Sequence, residues 1–193
     1  MPYLNLTRRP GKNIPGLICL LLSGLLTGCN HRQTASAAIP HYFSLASYFQ
    51  AEEARMQASQ PKLMKMINVD GKKETRTLSK AVWPVELQFF ESADINKPAW
   101  LGKYRVDSNS AGLRYRALDS SLKVREISIG KSSSKAGSKV SFVKVHIAVQ
   151  NFLYSLDEQL IYLPDSLYSI NRTQHINLLG KKVYQITGRI ISQ

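Results

Sequence analysis

Thiols are nearly absent from this sequence. Its 193 residues include two cysteines, Cys19 and Cys29, and none follows. A disulfide framework, a thiolate nucleophile and a cysteine-ligated metal are therefore excluded downstream of residue 29. Acids are scarce as well: 13 Asp plus Glu stand against 26 Lys plus Arg, a formal net charge of +13. The four histidines are His31, His41, His146 and His175. No two have the i, i+4 spacing of a helical zinc site, and no H-E-x-x-H occurs. The G-x-S-x-G turn of serine hydrolases is also missing. These absences leave no catalytic constellation and no metal or cofactor set. The expectation is a non-enzymatic protein with no catalytic residue and no cofactor.

Long hydrophobic runs are missing too. The longest, "IPGLICLLLSGLL" over residues 14–26, has 13 residues, short of the roughly 20 that a bilayer requires. Arg8, Arg9 and Lys12 precede it and no acid does. A basic start followed by a short apolar core is the layout of a signal peptide. Leu26, Thr27, Gly28 and Cys29 close the run. This stretch resembles the lipobox of bacterial lipoproteins. The resemblance implies cleavage between Gly28 and Cys29 and lipidation of the Cys29 sulfur. Acyl chains contribute about 0.8 kcal/mol per buried methylene, so more than one chain makes attachment durable. The residue after the cysteine is Asn30 rather than Asp, and residues 30–38 hold no acid. By resemblance to lipoprotein sorting, this leans towards the outer membrane and its periplasmic face. The expected organisation is a signal peptide over 1–28, a lipidated tether over 29–40 and one domain over 41–193.

The domain reads as α+β. Tyr42, Leu45, Phe49 and Met56 recur at helical spacing, which predicts an amphipathic helix over 41–58 that Pro61 ends. Asp70-Gly71 is a two-residue hairpin signal, because both central residues of that turn need positive φ. It predicts paired strands over 62–69 and 72–78. Pro84 suits the first turn of a short helix over 84–92, although Val85, Leu87 and Phe89 also fit a strand. A loop follows over 94–100. From 103 onwards the alternation is β. Leu113, Tyr115 and Ala117 oppose Arg114 and Arg116. Val143, Val145, Ile147 and Val149 oppose Lys144, His146 and Gln150. Tyr184, Ile186 and Ile190 share a face. Further strands are expected near 122–129, 155–163 and 166–176. The short spacing of turn signals favours antiparallel pairing. The expected fold is a curved antiparallel sheet of about six to eight strands, with two helices from the N-terminal half packed on one face. The order of aromatic helix, "NVDGKKE" hairpin, "ADINKPAW" loop and β-rich remainder resembles Bacteroidota envelope lipoproteins. That resemblance brings no site residues with it.

Residues 130–139, "GKSSSKAGSK", look like a phosphate loop but fail its spacing, since Lys135 stands where the second glycine is needed. They read as a flexible basic loop, with turns near 120 and 132–134. Asp157 and Glu158 are adjacent, so a strand would point them to opposite faces. His146 is expected on a polar face, where it could meet His175 across a sheet. The remaining signal is basic charge. Arg114, Arg116, Lys123, Arg125 and Lys144 form a candidate surface for an anionic ligand, either an envelope lipid or a glycan phosphate. An envelope protein is the other expected partner, and surface charge for solubility is the plainer reading. Nucleic acid fits the charge but not the compartment, and no nucleic-acid-binding signature occurs. A binding module is the leading expectation. The alternatives are a carrier of a hydrophobic ligand and, less favoured, an envelope hydrolase.

Overall fold

The computed structural model describes residues 41–134 and 137–191. The expected signal peptide over 1–28 and the expected lipidated tether over 29–40, with Cys29, lie outside the described residues. The domain has two helices and nine strands. Helix α1 spans Leu45–Ser59 and β1 spans Lys62–Val69. Strand β2 covers Lys72–Leu78 and α2 covers Trp83–Glu91. After a short 3-10 turn at Pro98–Trp100 come β3, Tyr104–Asn109, and β4, Gly112–Ala117. Strands β5, Val124–Ser134, and β6, Gly137–Gln150, form the longest hairpin. Strands β7, Tyr154–Leu163, β8, Leu167–Ile176, and β9, Gly180–Ile191, complete the fold.

All nine strands form one antiparallel sheet in the order β2-β1-β9-β8-β7-β6-β5-β4-β3. A seven-strand meander, β3 to β9, thus closes onto the β1–β2 hairpin. The α+β class and the curved antiparallel sheet agree with the sequence reading. The strand number does not: nine are present, against six to eight expected. The additional strand is β3, an edge strand in which only Tyr104 is buried. Without a buried partner at every second residue it shows no alternation to read. A second correction concerns residues 130–134. They are not loop but the outer arm of β5, paired from Lys131↔Val140 to Ser134↔Gly137. Ladder hydrogen bonds hold that arm regardless of its Gly- and Ser-rich composition.

Local chemistry explains the element ends. Asp70 and Gly71 have φ of 52° and 90°, so the β1–β2 turn adopts the conformation its dipeptide favours. Asp70 also accepts a hydrogen bond from the Val183 amide at 2.8 Å, tying the turn to β9. Ser44 caps α1 through the Ser47 amide at 3.0 Å. Asp94 reinforces this cap from the loop, accepting from the Ala46 amide at 2.8 Å. At the other end Gln60 turns left-handed and Pro61 stops the helix.

Both helices pack on one face of the sheet, and the core lies between. Phe49 of α1 stacks on Phe90 of α2 at 4.9 Å and meets Tyr162 of β7 edge-on at 5.1 Å. Trp83, Leu87, Ile127, Ile129, Val143 and Leu160 are fully buried around them. Two sheet tyrosines donate into the helix layer: Tyr162 to Glu52 and Tyr168 to Glu86. Burial raises both phenols above their ordinary value, and the carboxylate partners push the same way. Gly188 of β9 leaves room for the Tyr168 ring, because a Cβ there would stand 2.1 Å from ring carbon Cε1. Gly188→Ala is therefore expected to destabilise by about 1–3 kcal/mol through overpacking. Chemical denaturation checks this, and an unchanged midpoint would show that the ring moves freely.

Candidate functional site

Among the described residues, the opposite face of the sheet carries no helix. Strand register fixes what it presents. Starting at β2, the pairs run Lys73↔Asn68, Asn68↔Gln185 and Gln185↔Asn171. They continue through Asn171↔Gln159, Gln159↔His146 and His146↔Glu126. Glu126↔Arg116 and Arg116↔Arg105 end the row at β3. One straight line of polar side chains thus crosses all nine strands. Neighbouring members stand about 4.8 Å apart, the distance between strands.

A second row runs beside the first and adds charge. Lys144 pairs with Ser128, and Ser128 pairs with Arg114. Between the two rows lies a concavity of ≈ 390 Å³, where Arg114, Glu126, Ser128, Lys144, His146 and Gln159 are joined by the apolar Phe142 and Ile161. Gln159 also borders the next concavity, ≈ 320 Å³, with Asn171, Thr173 and Gln185. The two share Gln159 and both lie along the polar row.

Short contacts hold many of these side chains in place. Asn68 donates to Gln185 at 2.8 Å. His146 Nε2 lies 2.8 Å from Asp157. Arg114 faces Glu126 at 3.6 Å, and Arg116 pairs with Asp107 at 2.5 Å. The hydrogen bond from Arg116 is the main reason the Asp107 carboxyl is held below its ordinary value, and the charges of Arg116, Arg105 and Arg114 add to it. Asn68 Oδ1 and Arg116 Nε are shielded and have no partner among the described residues. The rows combine amides with three guanidiniums and two ammoniums; Glu126 and Asp107 offset Arg114 and Arg116, whereas Lys73, Arg105 and Lys144 form no ion pair among the described residues. This surface can hydrogen-bond hydroxyls and neutralise anions. Within the concavity the Ser128 hydroxyl donates to Glu126 at 3.1 Å.

The sequence-derived cations divide between two places. Arg114, Arg116 and Lys144 come together on the open face. Lys123 and Arg125 sit at the start of β5, beside a bulge in its pairing with β6. There Arg125 reaches the carbonyl of Asp119. His146 and His175 are not brought together, since β7 lies between their strands and His175 pairs with Ser155 and Lys181. Asp157 and Glu158 do point to opposite faces. Glu158 faces the helices and binds Arg172 at 2.8 Å, while Arg172 lies 5.3 Å from the Phe89 ring centre. Among the described residues no group of three His, Cys, Asp or Glu is placed to hold a metal. No described helix is long and apolar enough to cross a membrane. Asn68, Asn171, Gln159 and Gln185 were not singled out by sequence. Their only signal is an amide at a polar-facing strand position, and register is needed to align them.

Among the described residues, Glu53 is the one buried carboxylate away from any sheet partner. It lies on α1, and its Oε1 has no partner among the described residues. Burial raises its pKa above the ordinary 4.5, with a further push from Glu91. A raised folded value means the fold favours the protonated form. The associated stability is complete below 4.5 and is lost as pH rises through the raised value. Glu53→Gln is accordingly expected to be near neutral in acid and stabilising at neutral pH. Thermal midpoints of both proteins across that range check it, and a variant destabilised at neutral pH would refute it.

No family model, no curated protein and no solved structure matches this chain.

Proposed function

We propose that this chain is an envelope lipoprotein, anchored through Cys29 on the periplasmic face of an outer membrane, and that its domain binds an anionic glycan. The observation that carries the binding assignment is the polar row across all nine strands, flanked by Arg114 and Lys144. An extended sugar chain presents hydroxyls along its length. A sheet presents donors at regular spacing, so many weak hydrogen bonds can act at once. Phosphate or carboxylate groups on the chain would meet Arg114, Arg116 and Lys144. The proposed role is recognition without chemistry. Less supports a carrier of hydrophobic ligands. The space between helices and sheet is occupied by Trp83, Phe49, Phe90, Tyr162 and Tyr168.

A phosphorylated lipopolysaccharide core oligosaccharide is a suitable probe for calorimetric titration. The expected binding weakens as salt is raised. Replacing Arg114 and Lys144 together by Glu should reduce affinity about tenfold or more, since each 1.4 kcal/mol is a factor of ten. The thermal midpoint should stay close to that of the parent, because both side chains are exposed. Unchanged affinity in the double variant would remove the open face as the site. The anchor is tested separately: the intact mass of the parent should include acyl chains that Cys29→Ala lacks, and masses differing only by the substitution would refute lipidation.

A further inference from the structure

Four large apolar side chains project from one end of the sheet. The β6–β7 turn contributes Phe152, 88 % exposed, and Leu153, 63 % exposed. The β8–β9 turn contributes Leu178, 95 % exposed, and Leu179, 76 % exposed. Turns of this kind ordinarily carry Gly, Asn, Asp or Ser, so this composition calls for an explanation.

The two turns are built as a unit. The Asn177 amide donates to the Leu153 carbonyl at 3.1 Å, and the Asn177 side chain donates to the Phe152 carbonyl. Asn151 Oδ1 accepts from the amides of Leu153 and Tyr154 at 3.0 and 2.9 Å. The polar residues of both turns are thus spent on the backbone. That leaves the apolar residues pointing into water, which is the wrong choice for a turn whose surroundings are aqueous. Contiguous exposed apolar groups mark an interaction site.

Charge at the same end narrows the occupant. Strand direction brings Lys72 and Lys73 of β2, Lys181 and Lys182 of β9, and Lys123 before β5 to this end. None of these five forms an ion pair among the described residues. An apolar apex ringed by free lysines is complementary to an anionic bilayer. Aliphatic and aromatic groups enter below the headgroups, and lysines remain at the level of the phosphates. The chain also enters the domain here. Tyr42 packs against Tyr104 at 5.6 Å between ring centres, and Tyr104 in turn bonds the Val124 carbonyl at the start of β5.

We infer that the paired β6–β7 and β8–β9 turns insert into the surface of an anionic lipid bilayer. The inference rests on the turns and their lysines and stands whether or not Cys29 is lipidated. Insertion at this end would set the strands upright on the membrane and keep the open polar face accessible beside it.

The test places a tryptophan at the apex, Phe152→Trp, and in a second protein at the opposite end of the sheet, Ser110→Trp. Each full-length chain is reconstituted by detergent removal into vesicles of phosphatidylglycerol and phosphatidylcholine with brominated acyl chains. The parent protein supplies the background of Trp83 and Trp100. Position 152 is expected to show blue-shifted emission and several-fold stronger quenching than position 110. Adding Leu178→Asp and Leu179→Asp to Phe152→Trp should abolish that difference. The same readout in a Cys29→Ala background separates this inference from the anchor. Quenching that persists there supports insertion even if lipidation fails. Equal quenching at both positions overturns the inference, as does an unquenched position 152 on vesicle-bound protein, which would leave a protein partner as the occupant.

Discussion

Glu86→Ala is expected to cost about 3–5 kcal/mol of folding stability, as when one partner of a buried ion pair is removed. Glu86 lies on α2 with its side chain 7 % exposed. It receives Lys65 Nζ at 3.0 and 2.7 Å on its two oxygens, and it accepts the Tyr168 hydroxyl as well. Alanine leaves an ammonium and a phenol beneath α2 with no acceptor. The Tyr168 hydroxyl cannot reach water without disturbing the helix, because Tyr168 is fully buried, whereas the Lys65 side chain is 23 % exposed. At roughly 2–4 °C per kcal/mol for a chain of this size, the thermal midpoint should fall by about 10 °C. Tyr168→Phe removes only one hydrogen bond and leaves Lys65 paired, so about 1–2 kcal/mol is expected. If Glu86→Ala costs no more than Tyr168→Phe, Lys65 escapes to solvent and the buried pair has little importance.

Phe49→Ala should be equally damaging, by about 3–5 kcal/mol. The ring is wholly inaccessible to solvent. It touches both helices and the sheet at once: stacked on Phe90 at 29°, edge-on to Tyr162 at 72°, and edge-on to Tyr48. Such pairs add about 0.5–1.5 kcal/mol each beyond area burial. These increments do not sum, because the rings share neighbours. The cavity left by alanine opens where the layers meet, and three rings would have to move together to fill it. Phe49→Leu keeps most of the volume and should cost distinctly less. Urea denaturation of the two variants distinguishes cavity formation from loss of ring geometry. A loss in Phe49→Leu as large as in Phe49→Ala would place the energy in the aromatic contacts themselves.

Features carried by neighbouring residues were legible in the sequence. Asp70-Gly71 specifies its turn because two consecutive positive φ values select that dipeptide. The alternation in "SFVKVHIAVQ" names its buried face because β6 is packed on one side and open on the other. Helix α2, Trp83–Glu91, was legible through Pro84, although the true start lies one residue earlier than expected. Helix α1 begins at Leu45 rather than at 41, since Tyr42 is buried as part of the incoming chain rather than of the helix. Features that depend on register were not legible. Asn68 and Gln185 are far apart in the chain and meet only because β9 returns beside β1. In "KLMKMINV" the methionines at 64 and 66 face outward, and Lys65 faces inward to Glu86. Hydropathy alone would assign those positions the other way. The ion pair that explains Lys65 is invisible until α2 is docked.

The proposed binding face is tested most directly by the side-chain amide signals of the isotopically labelled protein during titration with the phosphorylated oligosaccharide. The side chains of Asn68, Gln159, Asn171 and Gln185 lie on the open face, whereas Gln50 and Gln88 belong to the helices. The expected result is saturable shifts in the four open-face amides, with the two helix amides unmoved. Shifts confined to Gln50 and Gln88, or no shift at any of the six at a concentration that saturates calorimetric binding, would contradict it.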